Sequence, residues 1–145
     1  VHLSGLERLT VGAAERSSLE IGGSSFSRLK KLKLLSLQSV SVDLNFIPTI
    51  ADLPELTSLV LCKTLPNLHI PSFLSQLSLL SNLRILSLVA GEEPLQIIDP
   101  CFYFPEGSLP RLRELRIKCK RMSKIESQEL FRRLPCLHRF IPSCQ

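Results

Sequence analysis

Tryptophan is absent from this 145-residue chain, and tyrosine and methionine occur once each. So little variety among the large side chains argues against the mixed interior of an enzyme and for one unit used repeatedly. Long apolar runs are also missing. None approaches the ~18–20 residues that a membrane-spanning helix needs, which excludes such a helix. No basic, apolar, small-residue leader opens the chain, which starts at Val1 and reads as a segment of a longer protein. The five cysteines (Cys62, Cys101, Cys119, Cys136 and Cys144) are odd in number and lack tightly spaced pairs. A disulfide framework is therefore not expected, and the setting reads as reducing and cytoplasmic.

Catalytic patterns are missing too. The histidines His2, His69 and His138 have no neighbouring Ser/Asp arrangement, and no G-x-S-x-G, H-E-x-x-H or glycine-rich phosphate loop occurs. Cys119, Cys136, His138 and Cys144 are spaced by 17, 2 and 6 without a C-x-x-C knuckle, a poor donor set for a metal. The chain is expected to be no enzyme and to hold no cofactor or metal.

Leucine is what the chain has in abundance, at 30 residues, alongside 19 serines. Hydrophobic residues make up 44% and charged residues 21%, the balance of a folded domain rather than a disordered segment. The unit L-x-x-L-x-L recurs as Leu6-Glu-Arg-Leu9-Thr-Val11, Leu32-Lys-Leu-Leu35-Ser-Leu37, Leu56-Thr-Ser-Leu59-Val-Leu61, Leu83-Arg-Ile-Leu86-Ser-Leu88 and Leu112-Arg-Glu-Leu115-Arg-Ile117. A decayed sixth copy begins at Leu137, with Phe140 three residues on. The starts are separated by 26, 24, 27, 29 and 25 residues, a period that marks a stacked-repeat protein. Alternation within each L-x-L core turns two apolar side chains to one face of a short strand and the residue between to the other. Stacked in parallel, such strands bury a leucine column, and spacers with anchors such as Ile47, Ile50, Leu53, Ile70, Phe73, Leu74 and Leu77 return the chain. The expected fold is an α/β solenoid over residues 1–145. It is a right-handed superhelix of five to six irregular coils with the parallel sheet on its concave face. Near the end, Ser123-Lys-Ile-Glu126 reads as a capping box ahead of a helical run through Ile125, Leu130, Phe131 and Leu134, stopped by Pro135.

These repeats resemble the leucine-rich-repeat family along essentially the whole chain. Ile47-Pro48-Thr-Ile50 and Ile70-Pro71-Ser-Phe73-Leu74-Ser-Gln-Leu77 look like plant-type repeats. The phrases Leu53-Pro-Glu-Leu56, Leu109-Pro-Arg-Leu112 and Leu134-Pro-Cys-Leu137, set among irregular spacers, are similar to the C-terminal repeats of plant intracellular nucleotide-binding immune receptors. The family's Asn or Cys after the strand is replaced here by Ala14, Val40, Thr64, Gly91 and Lys120, which points to irregular coils. The resemblance implies the sensing region of a disease-resistance receptor, recognising a pathogen protein or restraining its own nucleotide-binding domain. The rival reading is the substrate-selecting repeat region of an F-box ubiquitin-ligase subunit.

In such repeats function sits on the concave strand positions that flank the leucines. Coil by coil these are Arg8, Thr10 and Gly12; Leu34, Ser36 and Gln38; Ser58, Val60 and Cys62; Ile85, Ser87 and Val89; and Glu114, Arg116 and Lys118. Leu34, Val60, Ile85 and Val89 are expected to form one exposed apolar patch, free for a partner or covered by another part of the parent protein. Residues 111–145 hold ten Lys or Arg against three Glu, whereas residues 1–110 hold eight against ten Asp or Glu. Arg113, Arg116, Lys118, Lys120 and Arg121 therefore form a basic patch around the fifth strand suited to an acidic protein, with Arg132, Arg133 and Arg139 further on. Nucleic acid is disfavoured because no aromatic residues interleave with the arginines. The longest spacer carries Phe102-Tyr103-Phe104, of which Tyr103 is the candidate to project and bind.

Overall fold

A strand of four or five residues cannot be stable alone, so the architecture rests on how the short strands find one another. The computed structural model of the chain describes residues 5–12, 20–21, 26–42, 46–62, 76–89, 107–117 and 123–142. Its main element is a six-stranded, all-parallel sheet. The strands are β1 (Arg8–Gly12), β3 (Leu34–Gln38), β5 (Ser58–Cys62), β6 (Ile85–Val89), β7 (Glu114–Ile117) and β8 (Arg139–Pro142), each beside its predecessor in the chain. Two short strands, β2 (Glu20–Ile21) and β4 (Ser41–Val42), pair in a second parallel sheet that the sequence did not announce.

The register matches the repeat copy for copy. Leu9, Leu35, Leu59, Leu86, Leu115 and Phe140 lie opposite one another across the sheet. Two residues on, Val11, Leu37, Leu61, Leu88, Ile117 and Pro142 do the same. From Leu35 to Leu115 the first column is fully buried, each leucine contributing about 1.5–3 kcal/mol of transfer free energy. Leu9, Val11 and Phe140, in the two outermost strands, are only partly buried, because a neighbour covers them from one side alone.

From the second copy on, the first leucine lies outside its strand and ends a tight turn. Leu29/Leu32, Leu53/Leu56, Leu80/Leu83, Leu109/Leu112 and Leu134/Leu137 each close an i to i+3 backbone hydrogen bond of 3.0–3.4 Å. All ten side chains are buried. Pro54, Pro110 and Pro135 occupy the second position of three of these turns, where a fixed φ is favourable. Behind the turn a second device recurs. The carbonyl oxygens of Glu7, Lys33, Thr57, Arg84 and Arg113 each accept two N–H groups from the next repeat, at 2.7–3.1 Å. Repeats are thereby aligned before their strands begin.

Spacer residues close the layer behind the sheet. Helix α1 (Phe46–Ala51) buries Phe46, Ile47 and Ile50, and Pro48 is tolerated because it stands in the first turn. Phe46 meets Phe26 edge to face, with ring centroids 5.6 Å apart. Leu53 and Leu77 are buried as expected, whereas Ile70, Phe73 and Leu74 lie outside the described residues. After β3 the chain leaves the sheet through Ser39, whose φ of 56° is left-handed and whose N–H donates to the Cys62 carbonyl at 2.9 Å. Val40, the next residue, is buried.

Helix α2 (Lys124–Arg133) follows Ser123 and ends ahead of Pro135, as expected. The side chain of Glu126, half of the expected capping box, lies outside the described residues. The apolar run needs a correction. Leu130 and Leu134 are buried, but Ile125 is 78% exposed and Phe131 40% exposed. At 100° per residue Ile125 points opposite Leu134, so one face cannot hold both. Among the described residues no helix is long and apolar enough to cross a membrane.

Inside and outside therefore differ by a single position along each strand. Leu59→Asp is expected to abolish cooperative unfolding in urea, since an unpaired buried charge costs several kcal/mol. Val60→Asp, one residue on, is expected to retain it. A cooperative, wild-type-like Leu59→Asp transition would overturn the assignment of faces.

Candidate binding face

The strand positions between the leucines turn to the face away from the core, and register arranges them in rows. The first runs Arg8, Leu34, Ser58, Ile85, Glu114 and Arg139; the second runs Thr10, Ser36, Val60, Ser87, Arg116 and Ile141. The third is Gly12, Gln38, Cys62 and Val89. Leu34 and Val60 are half-buried and Ile85 is 37% exposed. They form a zigzag over three adjacent strands separated by about 4.8 Å, with Ser36, Ser58 and Ser87 in the alternate squares.

The structure brings most of the expected face together, with exceptions. Ser87 is only 8% exposed: a small side chain between Val60 and Arg116 on the neighbouring strands, it is shaded by both. It belongs to the floor of the face rather than to its contact surface. The side chain of Val89 and all of Lys118, Lys120, Arg121 and Tyr103 lie outside the described residues. Cys62 is a half-buried free thiol and Cys136 an exposed one. Among the described residues no group of three or more His, Cys, Asp or Glu is placed to hold a metal ion.

Electrostatics divides the basic region in two. On the sheet, Glu114 Oε1 accepts from Arg116 at 3.1 Å and 3.3 Å, and Arg139 Nε stands 3.7 Å away. Glu114 keeps 16% of its side chain exposed, whereas Arg116 keeps 51% and Arg139 69%. One carboxylate thus aims two guanidinium groups without covering them. Arg139 joins this group only because β8 pairs in register with β7, which its distance along the sequence concealed. Arg113, expected within the patch, stands just before β7 at the edge where the strands begin, with exposed Arg84 in the corresponding position of the previous repeat. Nearby, Arg111 donates to Asn82 Oδ1 at 3.1 Å.

Arg132 and Arg133 belong elsewhere. Both lie on α2, pairing with Glu129 at 2.6 Å and 2.9 Å. The hydrogen bond from Arg132, then that from Arg133, holds the Glu129 carboxyl at about 2, against the ordinary 4.5, with desolvation opposing them and the two positive charges adding to the effect.

No protein-family model matches the chain, and no curated protein matches it. The face is therefore interpreted from its own residues.

Two outcomes are expected. In an NMR pH titration Glu129 should lose its proton with a midpoint near 2. A depressed folded-state value means that its contribution to stability is complete above about 4.5 and disappears as pH falls through about 2. Arg132→Ala with Arg133→Ala should return the midpoint toward 4.5. Glu114→Gln should lower stability by no more than about 1 kcal/mol in chemical denaturation, the usual worth of a partly exposed pair. A larger loss would make Glu114 a structural support rather than an organiser of exposed charge.

Proposed function

We propose that the chain is a leucine-rich-repeat recognition module, a right-handed solenoid whose sheet lines the concave side and binds another protein. The observation that carries this reading is the open face itself. Six parallel strands share one register with their leucines turned inward, and Leu34, Val60 and Ile85 stand outward beside an arginine-rich end. An apolar patch with a charged surround is the composition of a protein contact surface. Binding through shape and charge needs no nucleophile or cofactor, consistent with a sequence that carries no motif for either.

The plant-type phrases Ile47-Pro48 and Ile70-Pro71, and the Leu-Pro-x-Leu turns, support the sensing region of an intracellular immune receptor. In that role the repeats bind a pathogen protein or restrain the receptor's nucleotide-binding domain in the cytoplasm. The transcript encoding the chain should then carry a G-x-x-x-x-G-K-[ST] loop upstream. A short helical F-box segment there would assign the repeats to a ubiquitin-ligase subunit instead.

The face is tested directly by Val60→Glu combined with Ile85→Glu. Both side chains are outward, so circular dichroism and the unfolding transition should match wild type while partner binding falls below detection. Unchanged affinity would retire the open face as the binding surface.

A further inference from the structure

Two features of the sheet lie side by side. The first is the Leu34–Val60–Ile85 zigzag. The second is the edge just before the strand starts, where Arg84, Arg113 and His138 occupy corresponding positions on three successive repeats and Arg139 follows one residue on, in the first outward row. The forked backbone bonds fix its spacing: the Arg84 carbonyl accepts from Arg113 N and Glu114 N, and the Arg113 carbonyl accepts from His138 N and Arg139 N. The backbones of Arg84 and Arg113 are thus about one strand spacing apart, near 4.8 Å, and Arg139 lies one strand and one residue beyond Arg113. Among the described residues Arg84 and Arg113 meet no carboxylate, and Arg139 has only Glu114, which it shares with Arg116. Like charges at this spacing repel one another, so a negatively charged partner relieves a cost already present in the free protein.

We propose that this face takes an extended acidic peptide segment carrying apolar side chains, its carboxylates on Arg84, Arg113 and Arg139 and its apolar groups on Leu34, Val60 and Ile85. The inference rests on the protein-recognition reading and adds the chemistry of the partner. From β3 to β8 the face spans about 19 Å, the length of about six extended residues. The residues bordering the arginines choose between polyanions. None of the described outward strand positions carries an aromatic ring on which a base could stack, and exposed His138 beside Arg113 is a single imidazole at the edge rather than a stacking platform, which favours a peptide over single-stranded nucleic acid.

The test pans a displayed random dodecapeptide library against the whole chain at physiological salt. Enriched peptides are then titrated by fluorescence anisotropy against wild type, Arg84→Glu/Arg113→Glu, Val60→Glu/Ile85→Glu, and a control of equal charge change away from the face, Arg28→Glu/Lys124→Glu. Arg84→Gln/Arg113→Gln serves if the reversed pair perturbs the fold by circular dichroism. Enriched peptides should combine Asp or Glu with apolar residues. Their affinity should drop by about tenfold or more with the reversed arginines, weaken as salt is raised, and ignore the control. Neutral or basic peptides that still require Val60 and Ile85 would overturn the acidic partner while leaving the recognition face standing. Peptides indifferent to both pairs would overturn both. An empty selection, or tighter binding of a single-stranded RNA oligomer through the same arginines, would also refute the proposal.

Discussion

Parallel pairing without slippage is the constraint on which everything else in this molecule depends. Side chains on a strand alternate with period two, so a shift of one residue between neighbours would set the inward leucines of one strand against the outward positions of the next. The chain guards against that shift twice. Leu35, Leu59, Leu86 and Leu115 lose their burial if the register moves. The forked hydrogen bonds from Glu7, Lys33, Thr57, Arg84 and Arg113 clamp each repeat to the next before its strand starts. The turns ending in Leu32, Leu56, Leu83, Leu112 and Leu137 then deliver the chain to that clamp from a buried anchor. Packing and hydrogen bonding thus specify the same alignment, the agreement between levels that makes a fold unique.

The sequence showed the strands clearly because each needs only a short, strictly alternating phrase, and six such phrases support one another. It showed the spacers poorly. Helix α1 is six residues long with Pro48 inside it, less than two turns, so it presents no period to detect. The β2–β4 pair has two residues per strand and gives no signal at all. Ile125 is apolar yet exposed because its angle around the helix axis sets it opposite Leu134, which apolar character alone does not reveal.

The face was legible one strand at a time and obscure between strands. Alternation alone identified Leu34, Val60 and Ile85 as outward. That Ser87 would be shaded by Val60 and Arg116, or that Arg139 would reach Glu114 from 25 positions along the chain, depends on which strand lies beside which. The basic C-terminal stretch likewise looked uniform as a count of charges. In three dimensions Arg132 and Arg133 are held by Glu129 on a helix, while Arg116 and Arg139 stand over the sheet.

The separation of the two sides of each strand has an evolutionary corollary. A point change at Ser36, Val60 or Ile85 alters the outward face and leaves the leucine interior untouched, whereas the intervals between repeats vary from 24 to 29 residues around strands of constant register. Such a chain can vary its outward face one codon at a time, or the length of a return segment by a few residues, while inheriting the same scaffold unchanged.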